Sequence, residues 1–266
     1  MTMDVFAAAK VNLALHITGR RTDGYHLLDS LVVFASAMDW IKVEPADEIS
    51  LVVKGPMAEG VPADRRNLVW KAVEFAGKTA RLTLTKTLPS AAGIGSASSD
   101  AAAVLVALGQ GPKGTEALGA DVPVCWYRTP CRMSGIGEVR ENVPGLPMMW
   151  MVLVNGRQPV PTGLVFDLLE TAENAPMPTP EWHDFDSMIA WLEGTRNDLE
   201  EAARKISPVI DEVLERIRAT SGCAFARMSG SGGTCFGLYR TEAEAVAAAK
   251  AMPDEWWATD AFVLQG

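Results

Sequence analysis

The chain has 266 residues, 48% hydrophobic and 21% charged, enough for one large core or two modest ones, which excludes a disordered, collagen-like or disulfide-stapled protein. Its 24 basic and 33 acidic residues leave a net charge of −9, which argues against non-specific nucleic-acid binding. The longest apolar runs, Ala101 to Leu108 and Met148 to Val154, fall short of the roughly 18 to 20 residues of a membrane span, and the first residues lack the basic-then-apolar order of a secretory signal. A cytoplasmic protein with neither membrane nor nucleic acid as partner is expected.

From Lys10 to Ile17, apolar Val11, Leu13, Leu15 and Ile17 alternate with Lys10, Asn12, Ala14 and His16. That is the period of a half-buried strand, and it predicts that Lys10, Asn12 and His16 share a face. Gly19 to Gly24 is a loop carrying Arg20, Arg21 and Asp23, and Leu27 to Phe34 is a second strand. Further strands are predicted at Trp40 to Val43 and Ile49 to Val53, a helix through Leu68, Val69, Ala72, Val73 and Ala76, and a strand from Arg81 to Lys86. Leu88 to Asp100 follows as a loop, and then an Ala-rich helix.

At Pro144 to Pro147 the composition changes, which places a domain boundary between 1–147 and 148–266. The second half predicts a strand at Met149 to Val154, helices, strands at Cys223 to Met228 and Thr234 to Tyr239, a helix and a last strand. Pro176 to Pro180 is an irregular connector within it, and the order resembles a split βαβ sandwich. The run from Met148 to Met151 and the pair Trp256-Trp257 read as core or domain interface. Cys125, Cys131, Cys223 and Cys235 form no CxxC pair, have no His at zinc spacing, and are read as buried thiols. His16 and His183 show no partner.

Three segments carry chemistry. Between the strand and the Ala-rich helix, Pro89-Ser90-Ala91-Ala92-Gly93-Ile94-Gly95-Ser96-Ala97-Ser98-Ser99 keeps side chains small, so a ligand can reach backbone N–H groups at a helix start. Such amides form an anion site, and Ser98 and Ser99 add hydroxyls able to reach phosphate or a metal. The alternative is a Gly-containing turn capped by serine. It is neither a Walker loop nor a Rossmann GxGxxG. Asp121, in Gly-Ala-Asp-Val-Pro, is either a helix cap or surface residue or a general base, and Lys10 is either a strand-edge lysine or a charge for a transferring group.

The loop resembles the phosphate loop of the GHMP small-molecule kinases. Ala9-Lys10-Val11-Asn12-Leu13 with Gly19-Arg20-Arg21-Thr22-Asp23-Gly24-Tyr25-His26 is similar to the opening of one branch of that family. Met228-Ser229-Gly230-Ser231-Gly232-Gly233-Thr234 resembles its third motif, and Leu118 to Pro123 lies where the family carries its catalytic aspartate. The resemblance implies an α+β, two-domain GHMP-kinase-like fold, with an N-terminal ribosomal-protein-S5-like domain and a C-terminal ferredoxin-like domain. It implies ATP and Mg²⁺ as cofactors, and a small-molecule substrate with a cytidine diphosphate group, phosphorylated on the 2-hydroxyl of a methylerythritol unit. Lys10 and Asp121 would be catalytic. Pro89 and Ala91 to Ser99 would bind ATP, with Ser99 a candidate to reach metal beside the phosphates. Asn12, Tyr25, His26, Thr162 and Phe166 would bind substrate, with Phe166 facing Tyr25 and His26 across cytosine. Ser229, Gly230, Ser231 and Gly232 would buttress the phosphate loop. Either a monomer or a homodimer is compatible with this.

The chain departs from the family pattern at Ala8-Ala9-Lys10, at Gly95-Ser96-Ala97, at Gly163, and in a short Gly109 to Leu118 connection. Two rival readings stand beside it: a mevalonate- or sugar-type kinase of the same family, and a non-catalytic ligand-sensing module of the same fold.

Overall fold

The computed structural model describes residues 1–265. Strand β1 (Met3–Arg20) runs antiparallel to β2 (His26–Glu44), and the pair forms the spine of a six-stranded sheet completed by β3 (Ser50–Lys54), β4 (Arg81–Thr85), β5 (Cys131–Gly135) and β6 (Val139–Glu141). β2 absorbs both of the strands predicted between Leu27 and Val43. Ser36 and Ala37 are extra residues opposite the Ala8–Ala9 step, so the chain bulges there and continues pairing.

The alternation predicted for β1 fails in an informative way. Ala7 to Leu15 are buried on both faces, because elements from both halves of the chain pack on this strand. Asn12 pairs with Val32 and Ala14 with Leu31, so Leu13 is an unpaired extra residue. A one-residue bulge moves every later side chain to the opposite face. Lys10, Asn12 and Leu15 therefore line one cleft, whereas His16 is turned away from it. His16 is fully buried and does have partners: Nε2 accepts from the Arg196 amide at 2.9 Å, and Nδ1 lies 3.0 Å from the Ala175 carbonyl. Burial holds its pKa below the usual imidazole value, outweighing the bond to Ala175.

Helix α1 (Leu68–Phe75) starts where the Asn67 side chain accepts from the Val69 amide, and it buries Val69, Ala72 and Val73. Helix α2 (Ser96–Ala107) buries Ala101 to Leu105, and its alanines allow close approach to β1 and α1. A short helix α3 (Val122–Tyr127), with Pro123 in its first turn, was not predicted. The connection before it is closed by a 3₁₀ turn, Thr115–Ala117, and by Trp126 donating to the Gln110 carbonyl at 2.9 Å.

The second half forms a four-stranded antiparallel sheet in the order β10-β7-β9-β8, from β7 (Trp150–Asn155), β8 (Phe225–Met228), β9 (Thr234–Tyr239) and β10 (Trp257–Phe262). Helix α4 (Thr162–Asp167) and α5 (Phe185–Glu193) follow β7. Helices α6 (Glu200–Ile206) and α7 (Val209–Arg218) precede β8, and α8 (Glu242–Lys250) links β9 to β10. On α7, Ile210, Val213, Leu214 and Ile217 are buried at helical spacing. One core crosses between the halves, joining Val11, Leu13 and Val33 to Met149, Met151, Leu153 and Phe236. Trp257 adds a bond from its indole to the Thr87 carbonyl at 3.0 Å. Met148, read as core or domain interface, is exposed, whereas Met149 and Met151 are buried. Cys223 is only half-buried, and the four cysteines are free. Among the described residues no helix is long and apolar enough to cross a membrane.

His16 supplies a stability test. Its folded pKa lies below the unfolded value, so the unfolded chain binds the proton more readily and the contribution of His16 is lost as pH falls through about 6.5. His16→Gln should melt about 2 to 4 °C below wild type at pH 7.5, and the gap should narrow between pH 7 and 5.5 in calorimetric scans. A gap that stays constant would mean that His16 does not titrate on unfolding.

Candidate active site

The loop between β4 and α2 owes its shape to three left-handed residues at alternate positions: Ala91 (φ 50°), Gly93 (φ 73°) and Gly95 (φ 58°). At Gly93 a Cβ would lie 2.3 Å from the Ser229 carbonyl and 2.8 Å from the Gly232 amide. Only glycine permits that approach. Ser229 Oγ donates to the Gly93 carbonyl at 2.8 Å and accepts from the Asn12 amide at 3.0 Å. The Thr234 amide donates to the Ala92 carbonyl at 3.1 Å, and the Lys10 amide to the Ile94 carbonyl at 2.9 Å. Three successive loop carbonyls are thus held by the protein, away from any anion. The amides of Ser96, Ala97 and Ser98, in the first turn of α2, have no carbonyl one turn behind them, whereas Ser99 N already bonds Gly95 O at 2.8 Å. No acidic side chain stands in that turn, so free amides and the helix dipole favour an anion.

The serines divide by direction. Ser98 lines the cleft. Ser99 does not: its hydroxyl is buried and lies 3.3 Å from Cys125 Sγ in α3, which removes it as the residue that reaches a metal. The Ser96 hydroxyl is also turned inward, onto Lys86 and Asp39. Pro89 faces a second cavity on the far side of the loop, and Ala91 and Ala92 border both.

Lys10 Nζ donates to Asp121 Oδ2 at 2.8 Å. The lysine side chain is 5% exposed and the aspartate 32%, so the ammonium is sealed behind a carboxylate that opens on the cleft. Asp121 occupies the N-cap position of α3, yet its side chain caps nothing, and the capping alternative falls away. Gly95 leaves room for the lysine, since a Cβ there would sit 3.1 to 3.2 Å from its Cβ and Cε. Beside it, Asn12 Nδ2 donates to Ser30 Oγ at 2.7 Å, and Ser30 spends its one hydrogen on the Ala14 carbonyl. The amide orientation is therefore settled, and Asn12 Oδ1, buried at the cleft, has no partner among the described residues.

The cleft, about 660 Å³, extends to Tyr25, His26, Thr162 and Phe166. His26 and Phe166 stack, with ring centroids 4.9 Å apart. A base held between two rings needs about 7 Å, twice a carbon–carbon contact, so a base can reach Phe166 only as His26 moves aside or against the ring's other face. Tyr25 is exposed beside them. Burial and the Arg20 charge lower the His26 pKa, leaving a neutral ring. Thr162 Oγ1 lies 2.8 Å from Ser231 Oγ, joining α4 to the Ser229–Gly232 loop. Arg20, from the basic Gly19–Gly24 loop, also lines the cleft, whereas sequence reasoning missed Met133, Ile136 and Asp167; Gly135-Ile136-Gly137 was the one turn signal that pointed to the hairpin carrying two of them.

Two family models match the chain: GHMP kinases N terminal domain over 67–127 and GHMP kinases C terminal over 177–258. The chain belongs to the GHMP kinases. A protein of Jannaschia sp. named 4-diphosphocytidyl-2-C-methyl-D-erythritol kinase is 58% identical, covering 98% of this chain and 97% of the relative. One of the same name from Cereibacter sphaeroides is 48% identical, covering 96% of each. A crystal structure of 4-(cytidine 5'-diphospho)-2C-methyl-D-erythritol kinase superposes with TM-score 0.77 at 32% identity, covering 99% of this chain and all of the other. Homoserine kinase from Cytophaga hutchinsonii shares the fold alone, with TM-score 0.68 at 16% identity over 99% of this chain and 95% of that one. The expected α+β, two-domain GHMP fold is what these comparisons show.

In this GHMP kinase the two loop glycines should fail differently. Both sit at positive φ, where a side chain costs roughly 1 to 2 kcal/mol. Gly93→Ala also collides with backbone from the second half, so it should lose more thermal stability than Gly95→Ala, whose Cβ presses on the flexible Lys10 side chain. Gly95→Ala should instead lose turnover. Melting temperatures and kcat measured together check the split; equal losses in both would refute it.

Proposed function

We propose that this kinase transfers the γ-phosphoryl group of ATP to the 2-hydroxyl of 4-diphosphocytidyl-2-C-methyl-D-erythritol, in the cytoplasm, with residues 1–147 and 148–266 as its two domains. The names of its near relatives support the substrate. The observation that carries the chemistry is the Lys10–Asp121 pair, placed on the same cleft as the free amides of α2 and the His26–Phe166 stack.

Transfer forms a bond from the substrate oxygen to the γ-phosphorus and breaks the bond from that phosphorus to the β-bridging oxygen, releasing ADP. The hydroxyl proton goes to an Asp121 oxygen, or is oriented by it until late in the reaction. Lys10 holds that carboxylate in place and sets positive charge beside the transferring group. The amides of Ser96, Ala97 and Ser98 receive phosphate oxygens, and Asn12 Oδ1 accepts from a substrate hydroxyl. The second cavity, about 550 Å³, lined by Pro56, Met57, Pro89 and Val160, suits the adenosine end of ATP, because it meets the cleft at Ala91 and Ala92.

Among the described residues no group of three or more His, Cys, Asp or Glu could hold a metal ion. Beside the phosphate amides, the Ser98 hydroxyl fits a hard cation that arrives with ATP. Mg²⁺ there would neutralise charge on the phosphates.

Asp121→Asn should keep ATP affinity and lower kcat roughly 10²- to 10⁴-fold, measured with the cytidine substrate, mevalonate and galactose as rival acceptors. Near wild-type turnover would remove Asp121 from the mechanism, and preference for mevalonate or galactose would overturn the substrate. Phe166→Ala and Tyr25→Ala should each raise KM for the cytidine substrate about ten-fold to a hundred-fold and leave KM for ATP unchanged. An equal rise for ATP would place the rings in the nucleotide site.

A further inference from the structure

Behind the phosphate loop lies a buried ionic cluster that the mechanism does not use. Lys86, just after β4, is 1% exposed, and Asp39 on β2 and Asp100 on α2 are equally sealed. Lys86 Nζ spends its three hydrogens on Asp39 Oδ2, Ser96 Oγ and, at 2.8 Å, Asp100 Oδ2. Asp39 Oδ1 accepts from the amides of Thr87 at 2.6 Å and Leu88 at 2.9 Å, and Ser96 Oγ donates to Asp39 Oδ2 at 3.0 Å. One carboxylate therefore ties down both ends of the phosphate loop, Thr87-Leu88 where it leaves the sheet and Ser96 where α2 begins.

Lys86 is the counter-charge that lets that carboxylate stay buried. Burial opposes its charge, but Asp100 and Asp39 outweigh burial and raise its pKa. Burial pushes Asp100 up to about 7 against the pull of Lys86, and its Oδ1 has no partner among the described residues. The backbone of Lys86 is fixed as well: its amide donates to the Lys54 carbonyl at 2.7 Å, and its own carbonyl accepts from Met57 at 3.1 Å. The cluster thus has one end fixed in the sheet and the other on the first turn of α2.

We propose that Lys86 is a positioning residue for phosphoryl transfer, which sets the first-turn amides of α2 against the ATP phosphates by acting through Asp39 and Ser96. The proposal rests on the kinase reading above. It predicts an effect on the nucleotide and not on the substrate, since the cluster bonds to Thr87, Leu88 and Ser96 at the two ends of the phosphate loop and to none of Tyr25, His26, Thr162 and Phe166.

The test is calorimetric titration of the full chain with MgATP and, separately, with the cytidine substrate, beside thermal melts. The variants are Lys86→Met, Lys86→Met/Asp100→Asn, which removes one charge of each sign and so protects the fold, and Ser96→Ala, which cuts only the link to α2. The expected result is cooperative melting, ATP binding weakened about ten-fold in the Lys86 variants, and substrate binding within two-fold of wild type. Adding Ser96→Ala to the double variant should weaken ATP binding less than Ser96→Ala does alone, because one of the two bonds that hold the Ser96 hydroxyl is already gone. ATP affinity within two-fold of wild type in the double variant and in Ser96→Ala would overturn the proposal. So would equal loss for both ligands, the mark of a merely structural role. Wild type that fails to bind MgATP would instead overturn the kinase reading itself.

Discussion

An ammonium group withdrawn from water must meet a negative charge, and the contact of Lys10 with Asp121 at 2.8 Å meets that demand across 111 residues of sequence. Much of the surrounding architecture follows from keeping the two together. Lys10 must come from a strand packed on both sides, so β1 lies at the centre of the molecule and its neighbours are small: Ala7, Ala8 and Ala9 are buried beside it. Gly95 must lack a side chain, because the lysine stem fills that space. Asp121 must stand free of helix capping, and it does so at the start of a short helix whose first turn holds Pro123, which has no amide to satisfy.

The same region solves a second electrostatic problem. A loop presents partial positive charge only if its carbonyls point elsewhere. Ala92, Gly93 and Ile94 turn theirs toward Thr234, Ser229 and Lys10, donors drawn from both halves of the chain. The Ser229–Gly232 loop therefore shapes the loop between β4 and α2 directly, and the close backbone approach at Gly93 and Gly230 packs the two together. Behind them the Lys86 cluster anchors the same loop to the first sheet.

Local pattern revealed much of this and stopped where tertiary context decided. The helix at Leu68, the strand at Arg81 and the second-half strands and last helix were legible because apolar spacing carries over directly into burial. His16 was misplaced because a bulge at Leu13 leaves no trace in composition, yet it flips the face of everything after it. Ser99 looked equivalent to Ser98, but a helix turns 100° per residue, and that rotation points one hydroxyl at the cleft and the next at Cys125. The short helix after Asp121 and the β5–β6 hairpin fell below the length at which periodicity shows. Lys86 and Asp39 read as a strand end and a break between strands, because nothing local announces a long-range ion pair.

A double-variant cycle on single-turnover phosphoryl transfer tests whether Lys10 and Asp121 act as one unit. Lys10→Met, Asp121→Asn and the combination would be compared with wild type at saturating MgATP and cytidine substrate, with product followed by phosphorus NMR. A shared role predicts that the combined variant is no slower than the slower single one, since either change already disables the unit. Losses that multiply across the two substitutions would refute the shared role, because each residue would then act on the reaction independently of the other.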